Sequence, residues 1–127
     1  MITNKHVLIT GGGTGIGRAI ALLFADDGAK VTITGRRSKM LEEVADKSVN
    51  IAAFPMDVSN EKEVISVISQ AVSKFGPIQV CVANAGIAEG KKLQNTDLEF
   101  WQKIMRTNLD GTFLTIRESM KSMLEAD

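Results

Sequence analysis

Thr10-Gly11-Gly12-Gly13-Thr14-Gly15-Ile16-Gly17 lies between an apolar run, His6-Val7-Leu8-Ile9, and a segment with helical periodicity that begins at Ile16. Glycines between a strand and a helix permit a tight turn and a close approach of backbone to ligand, because they carry no Cβ. The free N–H groups and the positive end of the helix dipole then face that ligand. The stretch therefore predicts a strand, a phosphate-binding loop and a helix N-terminus.

Short apolar runs alternate with helical patterns along the rest of the chain. Four nearly unbroken apolar runs are typical of parallel strands covered on both faces: Val7–Ile9, Val31–Ile33, Ile51–Phe54 and Ile78–Ala83. Helices are predicted where apolar residues recur at helical spacing: Ile16, Ile20, Leu23 and Phe24; Leu41, Val44 and Ala45; Val64, Ile68, Ala71 and Phe75; and Leu109, Phe113, Ile116 and Met120. A capping box, Thr96-Asp97-Leu98-Glu99, begins a further helix through Trp101 and Ile104.

This alternation of strands and helices predicts an α/β fold. Right-handed crossovers arrange the strands as a Rossmann-type, doubly wound parallel sheet in the order 3-2-1-4. The order changes direction between strands one and four, so a crevice is expected at their carboxyl ends. The glycine loop and Asn84-Ala85-Gly86 both leave the sheet there. The length of 127 residues predicts one domain over residues 1–127.

Composition narrows the classes of partner. Lys and Arg number 15, as do Asp and Glu, so no nucleic acid or anionic membrane is expected to bind. No apolar stretch reaches transmembrane length. The single cysteine, Cys81, excludes an internal disulfide and indicates a reducing, cytoplasmic location, and one His with one Cys predicts no metal site. His6 is interpreted as strand-edge filler, and Cys81 and Trp101 as core or interface residues.

Several motifs occur in a consistent order along nearly the whole chain. Thr-Gly-x-x-x-Gly-x-Gly is met at 10–17, Asp57-Val58 follows the third strand, Asn84-Ala85-Gly86 follows the fourth, and Asn108 lies in a later helical segment. Together they resemble the short-chain dehydrogenase/reductase family. The resemblance implies a small carbonyl or alcohol substrate, a nicotinamide dinucleotide cofactor and a homo-oligomer, a dimer or a tetramer.

The resemblance also implies roles for individual residues. Asp57 is expected to contact the adenine ring, and Asn108 to be the helical asparagine of the catalytic set. The expected cofactor-binding residues are Thr10, Gly11, Gly13, Thr14, Gly15, Ile16, Gly17, Arg36, Arg37, Asp57, Val58, Asn84, Ala85 and Gly86. Structural roles stay open for three of these positions: a turn before a helix capped by Ser59 or Asn60 for Asp57, a tie between strand ends for Asn84, and a solvent-facing helical position for Asn108.

The end of the second strand bears on the choice of cofactor. NAD-binding domains place an acidic side chain here for the ribose 2′-OH, whereas NADP-binding domains place a basic group. This chain has Gly35 where the acid would stand, followed by Arg36 and Arg37. An arginine can pair with the 2′-phosphate through a fork of donors, so NADP(H) is favoured over NAD(H). The alternative is that both arginines begin a solvated helix.

The family's chemistry uses a serine and a Tyr-x-x-x-Lys motif, but this chain contains no tyrosine. It ends at Asp127, before the strand that would carry the serine, so we expect it to be the amino-terminal, cofactor-binding half of a reductase. A 3-oxoacyl reductase is the first candidate activity. A catalytically inactive dinucleotide-binding or sensing module is the main alternative, and a methyltransferase is a weaker third.

Overall fold

The computed structural model describes residues 1–126; Asp127, the last residue of the predicted domain, lies outside the described residues. Four strands and five α-helices alternate: β1 (His6–Thr10), α1 (Gly15–Asp26), β2 (Lys30–Gly35), α2 (Ser38–Ala45), β3 (Ile51–Pro55), α3 (Glu61–Phe75), β4 (Val80–Val82), α4 (Leu98–Met105) and α5 (Gly111–Glu125). A short 3-10 turn at Leu93–Asn95 precedes α4, and a π-helical turn at Arg106–Asp110 joins α4 to α5. No helix within residues 1–126 has the length and apolarity to cross a membrane.

The sheet is parallel and has the predicted order β3-β2-β1-β4, which confirms the expected fold class. β4 is shorter than the predicted Ile78–Ala83, and the first residue of that run, Ile78, bonds to a helix instead of the neighbouring strand. The Ile78 N–H donates to Ser122 Oγ on α5 at 3.0 Å, and the Gln79 N–H donates to the His6 carbonyl at 2.9 Å. At the other end the Asn84 N–H turns back to the Val82 carbonyl at 3.0 Å.

Alternate residues of β1 separate two apolar layers. Val7 and Ile9 pack with α1 and α2, and Leu8 packs with α3 and α5. These three side chains are fully buried. Because helices cover both faces of the sheet, a ligand is expected in the crevice at the strands' carboxyl ends.

The apolar periodicity located α1, but only half of its predicted stripe packs against the core, at Ile20 and Phe24, which are partly buried. Gly17, Ala21 and Ala25 face the sheet, while Ile16 and Leu23 are 74% and 64% exposed. Small residues occupy the face of α1 that packs on the sheet, because the helix begins at the glycine loop and must approach β1 closely. A Cβ on Gly17 would contact the Gly11 carbonyl oxygen.

The predicted face of α5 is wrong. The predicted stripe of Leu109, Phe113, Ile116 and Met120 is exposed, whereas the buried residues are Gly111, Leu114, Thr115, Glu118, Ser119 and Ser122. A Cβ on Gly111 would lie 2.5 Å from Val58 Cγ2, so only glycine lets the helix start this near β3. Several polar residues on this buried face are hydrogen-bonded: Thr115 Oγ1 donates to the Gly111 carbonyl at 2.8 Å, and Ser122 Oγ accepts from the Ile78 N–H at 3.0 Å.

Two smaller expectations are also corrected. Asp97, not Thr96, is the N-cap of α4, since its Oδ1 accepts from the Phe100 N–H at 2.8 Å. Thr96 instead donates to the Lys92 carbonyl at 3.0 Å. His6 does not lie at an edge of the sheet, because β1 is a central strand and the side chain is buried.

His6 is held as a neutral, structural group at the end of the sheet opposite the crevice. Its Nδ1 donates to the Gly76 carbonyl at 2.7 Å, and its Nε2 accepts from Thr32 Oγ1 at 2.8 Å. Burial lowers the pKa of His6, and the bond to Gly76 only partly opposes this. His6 therefore ties β1, β2 and the end of α3 together.

Candidate functional site

A cleft of about 470 Å³ lies at the carboxyl ends of the strands. The segments that follow all four strands contribute to its wall. The lining residues are Gly11, Gly13, Thr14, Thr34, Gly35, Arg36, Arg37, Met40, Leu41, Met56, Asp57, Val58, Ala85, Gly86, Ile87 and Thr107. The crevice predicted from strand order is therefore present. Nine of these lining residues belong to the predicted cofactor-binding set. The other seven are Thr34, Gly35, Met40, Leu41, Met56, Ile87 and Thr107.

The glycine loop has the backbone that such a site requires. Gly11 and Gly15 adopt φ angles of +66° and +54°, a region that side chains other than glycine rarely enter. No protein atom within residues 1–126 lies within 4 Å of a Cβ position on Gly15, so this part of the loop is open. Thr14 precedes α1 without a side-chain cap, and the first turn of α1 holds no acidic residue. The positive end of α1 is therefore free to face an anion.

Thr10 and Asn84 support this loop from beneath. Thr10 Oγ1 accepts from the N–H groups of Asn84 and Ala85 at 3.1 and 3.0 Å. Asn84 Nδ2 donates to the carbonyls of Thr10 and Gly11, each at 3.2 Å. These bonds join the ends of β1 and β4, and neither side chain lines the cleft. The geometry favours the structural alternative for Asn84.

Arg36 and Asp57 carry opposite charges on the cleft wall. Asp57 Oδ1 accepts from the Ser59 N–H at 2.9 Å and from Ser59 Oγ at 2.7 Å. Partial burial acts to raise the pKa of Asp57, but the bonds from Ser59 and the charge of Arg36 outweigh it and hold the pKa below its usual value. Asn60 caps α3 through the Glu63 N–H at 3.1 Å. Asp57 therefore both forms the predicted turn before α3 and lines the cleft.

Asn108 lies in the π-helical turn between α4 and α5, a feature often found at functional sites. Its Oδ1 accepts from the Ile87 N–H and its Nδ2 donates to the Ile87 carbonyl, both at 2.8 Å. A Cβ on Gly86 would lie 3.2 Å from Asn108 Oδ1, so Gly86 permits this approach. Asn108 therefore clamps the segment after β4 and does not itself line the cleft.

The remaining predicted residues divide between wall and surroundings. Ile16 is exposed beside the loop, and Gly15 and Gly17 lie outside the enclosed cleft. Six further residues line the cleft without having been predicted from the sequence: Thr34, Met40, Leu41, Met56, Ile87 and Thr107. Met40 and Leu41 follow the arginine pair by one helical turn, the only sequence signal for them. Within residues 1–126, no three His, Cys, Asp or Glu side chains are grouped to hold a metal ion.

These residues fit a dinucleotide. The open glycine loop and the uncapped end of α1 suit a pyrophosphate, and the arginine pair and Asp57 lie further along the same wall. A parallel sheet in this order, with a glycine loop leading into its first helix, defines a Rossmann-type dinucleotide-binding fold.

Comparison with known proteins identifies the family. A family model described as short chain dehydrogenase matches residues 5–127. Uncharacterized oxidoreductases of Staphylococcus aureus strains MW2 and USA300 are each 33% identical over 127 residues, and one from strain MRSA252 is 32% identical. Each alignment covers 98% of this chain and 55% of the relative. The chain belongs to the short-chain dehydrogenase family, whose members bind NAD(P)(H), and spans about half the length of the curated relatives it matches.

Proposed function

We propose that residues 1–127 form the NADP(H)-binding domain of an oxidoreductase that reduces a carbonyl or oxidises a secondary alcohol. The observation that carries the choice of cofactor is the Gly35-Arg36-Arg37 sequence, whose three residues all line the cleft. An acidic side chain at position 35 would repel a 2′-phosphate, and the chain has no side chain there. The nearby guanidinium groups offer charged, forked donors to the same phosphate.

The chain's own residues supply binding and orientation. The glycine loop and the first turn of α1 hold the pyrophosphate, Asp57 faces the adenine, and the Asn108 clamp on Ile87 fixes the segment after β4. When bound, the cofactor supplies or accepts the hydride. The substrate is a small carbonyl or alcohol compound, and a 3-oxoacyl thioester is the first candidate. The single cysteine, Cys81, supports a reducing, cytoplasmic location.

Arg36→Ala is expected to weaken NADPH binding and to spare NADH. Removing a charged hydrogen-bond partner costs about 1.5–3 kcal/mol, which corresponds to a loss of roughly ten- to hundredfold in affinity. Fluorescence titration of both nucleotides measures the change. Lys39→Ala is the matched control, because Lys39 is an exposed cation of α2 that does not line the cleft. Equal losses of NADPH and NADH affinity in the Arg36 variant would contradict the assignment.

We also propose that the chain forms a homo-oligomer, a dimer or a tetramer. Phe113, Ile116 and Met120 are 57%, 43% and 51% exposed on one face of α5, and Trp101 of α4 is 55% exposed. Exposed apolar side chains grouped on one helix face, as Phe113, Ile116 and Met120 are, are typical of an interaction surface. Light scattering is expected to give a mass above that of one chain, and Phe113→Glu to shift it toward the monomer. A monomeric mass for the unmodified chain at every concentration would refute this proposal.

A second candidate function is a dinucleotide-binding module without catalytic activity. The absence of tyrosine from the sequence is the observation that favours it. Both candidates require cofactor binding, and they differ in turnover. A partner polypeptide or longer gene product that supplies a Tyr-x-x-x-Lys motif would support the oxidoreductase.

A further inference from the structure

A second groove lies beside the cofactor cleft, between α1 and α2. Its volume is about 580 Å³, and it shares Gly13, Thr14 and Met40 with the cleft. Arg18 of α1 lines this groove, whereas Arg36 lines the cleft. The segment Gly13–Thr14 therefore forms a wall common to both cavities, and each cavity has an arginine beside that wall.

Helix geometry directs the Arg18 side chain toward the glycine loop. The Arg18 N–H donates to the Thr14 carbonyl at 3.2 Å, so the two residues lie one turn apart on the same face of α1. Side chains of a helix lean toward its N-terminus, so Arg18 covers the turn that begins at Thr14 and Gly15. The loop at residues 10–17 has no charged residue, and α1 has no other cation. Arg18 is thus the cation that α1 offers to a ligand on this loop.

The charge of Arg18 is available to such a ligand. Its side chain is exposed, and the ion pairs found within residues 1–126 do not include it. The other charged residues of the groove are Glu43, Asp46 and Lys47, so two carboxylates balance two cations there. The groove as a whole does not concentrate anions, and Arg18 acts on an anion that a bound cofactor brings to the shared wall.

We propose that Arg18 supplies a second guanidinium group for the 2′-phosphate of NADP(H), across the Gly13–Thr14 wall from Arg36. This inference rests on the proposed function. Arg36 meets the phosphate from the end of β2, and Arg18 meets it over the loop from α1. The pyrophosphate is held by the backbone N–H groups of the loop and of α1, so the contribution of Arg18 is specific to the phosphate that NADPH has and NADH lacks.

Arg18→Gln tests the proposal, because glutamine keeps helix propensity and much of the side-chain length while removing the charge. NADPH and adenosine 2′,5′-bisphosphate are expected to bind about three- to fivefold more weakly, since an exposed ion pair contributes modestly. NADH and adenosine 5′-monophosphate are expected to bind as before. The difference for NADPH should shrink near 1 M salt, where the Debye length falls to about 3 Å. Arg18→Lys keeps the charge and is expected to retain most of the affinity for NADPH.

Lys5→Gln is the matched control for net charge, because Lys5 is exposed and precedes β1 at the end of the sheet opposite the cleft. It is expected to leave the affinity for both nucleotides unchanged. Unchanged NADPH affinity in Arg18→Gln, or an equal loss of NADH affinity, would overturn the inference while the proposed function stands. An equal loss of NADPH affinity in Lys5→Gln would also overturn it, because net charge alone would then explain the effect. Absence of NADPH binding by the unmodified protein would overturn the proposed function, and this inference with it.

Discussion

Gly17→Val is expected to weaken the binding of NADPH and NADH alike, by up to about a hundredfold. A Cβ at position 17 would contact the Gly11 carbonyl oxygen and would lie 2.6 Å from Asn84 Nδ2. Both groups belong to the bonds that join β1 to β4, so neither moves without displacing the loop. Overpacking at such a site costs up to about 3 kcal/mol of stability, which the loop relieves by leaving the geometry that binds the pyrophosphate. Restoring that geometry on binding would cost the same energy, a loss on the order of a hundredfold in affinity.

The loss should be equal for the two nucleotides, because the pyrophosphate that the loop holds is common to both. Isothermal titration measures it, and circular dichroism establishes that the variant is folded. Gly90→Val is the matched control, since no protein atom within the described part of the chain lies within 4 Å of a Cβ at Gly90. Undiminished binding by folded Gly17→Val would mean that the loop is only a turn.

A polypeptide of these 127 residues is expected to show no NADPH-dependent turnover of any carbonyl compound. Carbonyl reduction of the family's type needs a proton donor for the developing alkoxide, and the sequence contains no tyrosine. Positioned acids contribute typically 10²–10⁴-fold in rate. Among the residues that the structure describes, neither His6 nor Cys81 replaces this proton donor: His6 is buried at the opposite end of the sheet, and burial raises the pKa of the Cys81 thiol despite a Ser119 contact that acts to lower it.

Loss of NADPH absorbance with a panel of ketones and 3-oxoacyl thioesters provides the measurement. The same preparation must bind NADPH in a parallel titration, so that inactivity is not confused with misfolding. Turnover by a chain of verified mass would contradict the mechanism that the family resemblance implies. Binding without turnover agrees with both candidate functions, and addition of a polypeptide carrying the missing motif then separates them.

The strands and their order could be predicted from the sequence because strong local signals agreed. Val31–Ile33 is apolar, bounded by polar residues and flanked by helical patterns, and the right-handed crossover rule leaves few arrangements for four such strands. The exact ends were less predictable. Ile78 resembles a strand residue in sequence, yet its N–H bonds to Ser122, a contact 44 residues away that no local pattern encodes.

Apolar periodicity predicted the buried face of α1 only in part and that of α5 wrongly. Ala21 and Gly17 face the sheet because the helix axis must lie near β1, and this distance is a tertiary property. Phe113 and Ile116 do not pack into the core of the described residues. Contact with a second copy in the proposed oligomer would explain why these exposed side chains are apolar. Periodicity reports that a helix has an apolar side, and it does not report what covers that side.

The candidate site was predictable where a motif fixes backbone chemistry. Gly11 and Gly15 have the positive φ angles, and Asp57 lines the cleft, as the strand-end position requires. Asn108 was found only by resemblance, and its clamp on Ile87 depends on a π-helical turn that helix propensity does not predict. Thr34 and Met56 line the cleft but belong to no sequence motif, because their place in its wall depends on the tertiary fold.

The central claim is that the cleft at the carboxyl ends of the strands binds the dinucleotide. Amide chemical-shift mapping during titration with NADPH tests it most directly, since it reports each backbone N–H separately. The predicted result is saturable shifts at the glycine loop, at Arg36 and Arg37, at Asp57 and at Gly86, with smaller effects on β1 and on the far end of α3. Shifts confined to other surfaces, or none at saturating NADPH, would contradict the claim.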